Sequence, residues 1–129
     1  MKILAEISVG ELYDKITILN IKLKKINDPK KLENIKIELD ALVEQSNKLI
    51  LKDYEILRKN IQKLQDINEE LWDIENAKRE CEANKEFGEI FIKISRDVHF
   101  KNDIRASIKK EINLLSNSKI TEEKEYSKY

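Results

Sequence analysis

The run YEILRKNIQKLQDINEELWDIENAKRECEA, residues 54–83, decides the fold, because it contains neither proline nor glycine. Leu57, Ile61, Leu64, Ile67, Leu71 and Ile74 recur every three or four positions within it, the spacing of one helical face. A helix of that length rises roughly 45 Å at 1.5 Å per residue. It therefore asks for an equally long partner and implies a helical hairpin rather than a compact globule. Asp53 precedes it as a candidate N-cap. From Glu69 to Glu82 its charge turns acidic, with six carboxylates against Lys78 and Arg79, and the sole tryptophan, Trp72, stands in the middle.

The partner follows directly. After a short connection at Asn84–Glu86, a fourth helix is expected from near Phe87 to about Leu115, carrying Phe87, Ile90, Phe91, Ile94 and Val98, then Ile104, Ile108, Ile112 and Leu115. Between those two groups the apolar stripe breaks, and the next helical steps land on Lys101, Asn102 and Arg105. A turn near residue 85 sets Trp72 level with His99, Asn68 with Asn102 and Asp103, Glu75 with Arg96, and Asp66 with Arg105. Polar residues thus meet polar residues at one height. This band is either a buried network that fixes helix register or a pocket walled by Trp72 in which carboxylates and an arginine converge on a ligand. In both cases Arg105 requires a carboxylate or solvent, since an unpaired buried charge costs about 3–5 kcal/mol.

Upstream, Ile3, Ala5, Ile7 and Val9 alternate with Lys2, Leu4, Glu6 and Ser8, which reads as a short strand over residues 1–9. A lone strand cannot satisfy its backbone, so it is expected to pair with the tail or a second subunit. Ser8 and Glu11 form a capping box for a first helix ending near Ile26. That helix has a main stripe, Leu12, Ile16, Leu19, Leu23 and Ile26, and a second one, Ile18 and Ile21 with Asp14, on nearly the opposite side. Apolar on two sides, it belongs between layers or in an interface. Asn27-Asp28-Pro29 ends it and starts a second helix, running to about Ile50, with Asp28 as N-cap and Pro29 at the first helical position. Leu32, Ile35, Leu39, Leu42, Ser46 and Leu49 line one face of that helix.

The chain has 25 basic and 25 acidic residues, 39% charged residues overall, two glycines and one proline. The charged share is well above the usual ~25%, and turn-rich β folds are excluded by so few turn residues. One domain over residues 1–129 is expected at this length. Zero net charge leaves no bulk attraction to nucleic acid, and no apolar run approaches the roughly 18 residues of a membrane span. Cys81 is the only cysteine and His99 the only histidine, so no internal disulfide forms and a reduced, cytoplasmic setting is the default. Cys81 falls on the core stripe. No glycine-rich phosphate loop or dinucleotide fingerprint exists. Glu69 and Asp73 lie one turn apart, but the Glu-x-x-His spacing of di-iron bundles is missing. No catalytic constellation, metal site or cofactor is therefore expected. Lys109 and Lys110 read as an ordinary solvated face. The tail, 119–129, reads by itself as frayed or draped over the bundle.

Ser8, Gly10, Glu11, Leu12, Asp14, Lys15, Thr17, Ile18 and Leu19, then Leu71-Trp72-Asp73-Ile74-Glu75, Phe87-Gly88, Asn102-Asp103, Arg105-Ala106 and Glu122-Glu123-Lys124, resemble the motifs of an uncharacterised family of short bacterial proteins, a domain of unknown function. The resemblance spans nearly the whole chain. It implies a small stand-alone protein with a docked tail and brings no activity with it. A second likeness, through Leu57-Arg58, Ile61, Asp66-Ile67, Leu71 and Arg79, is to the first helix of the helical chorismate mutases, which implies an enzyme binding a dicarboxylate with cationic residues in a helical dimer.

The expected architecture is all-α: four helices, with helices 3 and 4 as a long antiparallel hairpin and helices 1 and 2 across its base. The two-sided first helix and the long third helix favour a homodimer. The leading functional expectation is a non-enzymatic scaffold or interaction module. Its rival is a small-molecule binder or enzyme using Asp14, Lys15, Trp72, Glu75, Arg79, Asn102, Asp103 and Arg105.

Overall fold

The computed structural model describes residues 1–129 and is all-helical. The helices are α1 (Val9–Lys25), α2 (Pro29–Asn47), α3 (Tyr54–Ala83) and α4 (Glu89–Leu115). The expected strand is absent. Residues 1–7 have no regular structure, and Ile3 and Leu4 remain 84% and 96% exposed. The alternation is present in the sequence, but no strand edge lies beside it, and an unpaired strand cannot satisfy its own N–H and C=O groups.

The ends of the helices follow from local chemistry. Ser8 Oγ accepts the Glu11 N–H at 3.1 Å, and Asp28 Oδ1 accepts the N–H groups of Lys30 and Lys31 ahead of Pro29. Only half of the expected capping box forms, because the Glu11 carboxylate turns to Lys109 instead of back to Ser8. Asp53 holds the N-cap position of α3 without a side-chain cap bond, in the left-handed region at φ 50°. Its carbonyl accepts from Ile56 and Leu57 instead. Lys85 and Asn117 take left-handed conformations just past α3 and α4, and the next N–H groups, of Glu86 and Ser118, close back onto the Cys81 and Asn113 carbonyls. These are C-terminal closures of the Schellman kind.

Helices α3 and α4 form the hairpin, and the Lys101 ammonium donates across it to Glu70 at 2.7 Å. Helix α1 packs against all three others, while α2 packs on α1. Leu12, Tyr13 and Ile16 of α1 join Leu57, Leu64 and Ile67 of α3 and Ile112 of α4 in the core, with Leu39, Leu42 and Leu49 packed against it. The second stripe of α1 is covered by the chain itself, with Asp14 and Ile21 each only 1% exposed. It needs no second subunit, and that argument for a dimer falls.

Gly10 fixes how closely α1 meets α4. Its N–H donates to Asn113 Oδ1 at 2.7 Å, and a Cβ there would lie 2.6 Å from the Lys109 carbonyl oxygen. Only glycine permits that approach. At the other end, α1 has 17 residues against 30 in α3, so at ~1.5 Å per residue it covers little more than half of the hairpin. Between Glu69 and Ile108, Cys81 alone is buried.

Candidate functional site

Helix α1 lays Asp14 against α3 and α4 where their apolar stripes break. Its carboxylate, 2% exposed, accepts a two-pronged bond from Arg105, whose Nε donates to Oδ1 at 2.9 Å and whose Nη2 donates to Oδ2. Asn68 of α3 spends both amide hydrogens here, donating to Asp14 Oδ1 at 3.0 Å and to Thr17 Oγ1 at 2.9 Å. The Thr17 hydroxyl donates to the Asp14 carbonyl. One turn beyond Arg105, the buried Lys109 ammonium donates to Glu11 and to Glu122 of the tail, both at 2.7 Å, with Asp14 Oδ2 3.8 Å away. One network therefore ties α1, α3, α4 and the tail together.

Its electrostatics close on themselves. Burial pushes the Asp14 carboxyl upward, but the bonds from Arg105 and Asn68, with the charges of Arg105 and Lys109, outweigh it and hold the carboxyl below its ordinary 3.8. Desolvation pulls the Lys109 ammonium down, yet Glu11 and Glu122 raise it above 10.5. The bond from Lys109 lowers Glu122 in turn. Asp14, Arg105, Lys109 and Glu122 are each stabilised in the charged form, as a satisfied polar network requires.

Beside this network, where α1 crosses the hairpin, lies a cleft of about 570 Å³. Ile18 and Ile21 of α1, Leu71 and Trp72 of α3 supply its apolar surface, while Asn68, Glu75, Asn76, Arg79, Asn102 and Arg105 supply its polar groups. The volume is that of a small-molecule site.

Of the residues singled out from sequence, Trp72, Glu75, Arg79, Asn102 and Arg105 meet at this cleft. Asp14 lies beneath it, behind Arg105. Lys15 is exposed, 3.8 Å from Glu11. Asp103 is also outside, exposed and accepting the Tyr129 hydroxyl. The expected hairpin register is met where Lys101 reaches Glu70 and where Asn68 and Asn102 line one cleft, but the partners of other side chains differ. Arg105 pairs with Asp14 of α1, and Asp66 instead accepts from Gln62 of its own helix. Glu75 lies 4.0 Å from Arg79, whereas Arg96 sits over the Phe100 ring. His99 packs beside Phe100 and Tyr129 rather than against Trp72. A two-helix register has no place for α1, which occupies the very height at which the polar residues meet. Lys109 corrects a further expectation, being 7% exposed rather than solvated. Its position one turn after Arg105 was the available signal, but its carboxylate partners come from residues 11 and 122, which spacing alone does not bring together.

No three His, Cys, Asp or Glu side chains come together as metal ligands, and no helix is long and apolar enough to cross a membrane. The family profile described as a family of unknown function, DUF6165, matches residues 1–129. The chain belongs to that family. No curated protein and no solved structure matches it. Of the motif residues noted above, the DUF6165 chain places Ser8, Gly10, Glu11, Asp14 and Thr17 on or beside the buried network, together with Arg105 and Glu122, while Trp72, Glu75 and Asn102 line the cleft. Among residues carrying the likeness to chorismate mutases, Leu57 and Ile67 are buried, Arg58 is exposed, and Leu71 and Arg79 reach the cleft.

Proposed function

We propose that this protein is a non-enzymatic helical interaction module that self-associates through the free end of the α3–α4 hairpin. The observation that carries the reading is the bareness of that end. Phe87, Ile90 and Ile92 are 51%, 69% and 56% exposed, and Cys81 is the single buried residue between Glu69 and Ile108. The whole chain exposes 9890 Å², against roughly 7,100 Å² for an ordinary monomer of its 15.3 kDa. The excess, which the hairpin end shares with the irregular residues 1–8 and 120–129, exceeds the roughly 800 Å² that one partner contributes to a standard interface. Two hairpin ends packed side by side would form a four-helix bundle, giving each apolar end the layer that α1 is too short to provide. The lone thiol, Cys81, is buried there, and the reading keeps it reduced in a cytoplasmic setting.

Sedimentation equilibrium tests the reading. The wild type is expected at twice the chain mass, and the double variant Phe87→Glu, Ile90→Glu at the chain mass with unchanged helical circular dichroism. A monomeric wild type across its soluble range, or a double variant that stays dimeric, would overturn the assignment.

A further inference from the structure

The cleft next to Trp72 has a hydrogen-bonding character of its own, independent of the hairpin end. Its one buried charge pair is closed, and its exposed charges balance in sign. Arg105 commits its Nε and Nη2 to Asp14, and Arg79 stands 4.0 Å from Glu75. Glu75 and Arg79 make no hydrogen bond with each other at that distance, and beside them the cleft offers neutral amides. Asn68 has used both hydrogens inward and keeps its amide oxygen. Asn102 accepts from Arg105 Nη1 at 3.4 Å and keeps its two N–H donors. Asn76 is exposed at the rim. Taken together the three amides offer both donors and acceptors, which matches groups that do both. Asn68, held by Asp14 and Thr17, is preorganised for that task. Against these stands a half-buried tryptophan ring with an apolar floor from Ile18 and Leu71.

We propose that this cleft binds a neutral carbohydrate, a pyranose ring whose C–H face lies on Trp72 and whose hydroxyls bond the amides of Asn68, Asn76 and Asn102. Hydroxyls donate and accept at one atom, as the amides require. A neutral ligand leaves the Asp14–Arg105 pair intact, whereas an anion would compete with Asp14 for the guanidinium and strip a buried carboxylate of its partner. A purely apolar ligand would cover the amides of Asn68 and Asn102 and leave them unpaired.

Trp72 is the only tryptophan, so its indole N–H is a unique nuclear magnetic resonance reporter of the cleft. The full chain is titrated with methyl glucoside, methyl galactoside and methyl mannoside, with glucuronate and benzoate as anionic counterparts. At least one glycoside is expected to move the indole signal saturably, with millimolar affinity, and more tightly than benzoate. Asn76→Ala, at an exposed position, is expected to weaken that binding several-fold with an unchanged melting temperature. Trp72→Leu, followed through the side-chain amide signals, is expected to weaken it roughly tenfold, the size of one lost stacking contact. The assignment falls if no glycoside moves the indole signal, if benzoate binds more tightly than every glycoside, or if Asn76→Ala binds as wild type does. Glucuronate is expected to bind more weakly than methyl glucoside, and glucuronate binding as tightly as that neutral counterpart would overturn the preference for a neutral ligand.

Discussion

The two ends of the hairpin are made of the same kinds of residue and behave as opposites. At the base, Leu57, Leu64 and Ile112 are at most 1% exposed, charged groups are buried, and each has a partner from another element. At the tip, apolar side chains of the same size stand in solvent and the ion pairs lie along the surface, as between Lys93 and Asp97 of a single helix. The difference is the presence of α1. A third helix converts an apolar stripe into a core and a surface carboxylate such as Asp14 into the centre of a network. A two-helix hairpin has no interior in which either can happen.

Substitutions should therefore separate the two ends by size of effect. Leu64→Ala, at a fully buried site, is expected to cost about 4 kcal/mol from lost burial and a cavity, read as a shift in the urea midpoint. Asp14→Ala should cost about 3 kcal/mol, since it strands Arg105 and takes one acceptor from Asn68. In a chain of this length that is a melting temperature roughly 10 °C lower. Gly10→Ala should cost about 2 kcal/mol, because the added Cβ meets backbone rather than a side chain that could move. At the tip, Ile92→Ala should stay within about 0.5 kcal/mol in the isolated chain. A tip substitution as costly as Leu64→Ala would show that the hairpin end is already part of a core.

Acid should attack the base first. Asp14 and Glu122 are held below their ordinary values of 3.8 and 4.5. Their contribution is complete above those values and is lost as pH falls through the lower folded-state ones. Lys109 acts in the other direction: raised above 10.5, it contributes fully below that pH, and its contribution is lost as pH rises through the folded value. The melting temperature measured from pH 6 down to 2 should fall less steeply in Asp14→Ala than in wild type. Equal slopes would show that Asp14 is not the group titrated.

Much of this was readable from spacing. The thirty-residue run without a breaker forms one helix, the apolar stripe of α3 faces inward with Cys81 on it, and the break at Lys101, Asn102 and Arg105 marks the polar band. Ser8, Asp28 and Pro29 stand at helix starts because capping depends on neighbours in sequence. Other features depended on neighbours in space. The strand over residues 1–9 failed for want of an edge, an object no local pattern contains. Arg105 found Asp14 rather than Asp66, and Lys109 was buried by Glu11 and Glu122, because α1 and the tail pass at that height. Local periodicity determines which side of each helix is apolar, since 3.6 residues per turn is a property of the backbone. Which polar groups share a site was decided by tertiary structure alone, because a hydrogen bond or ion pair forms only between atoms that packing has already brought within about 3 Å.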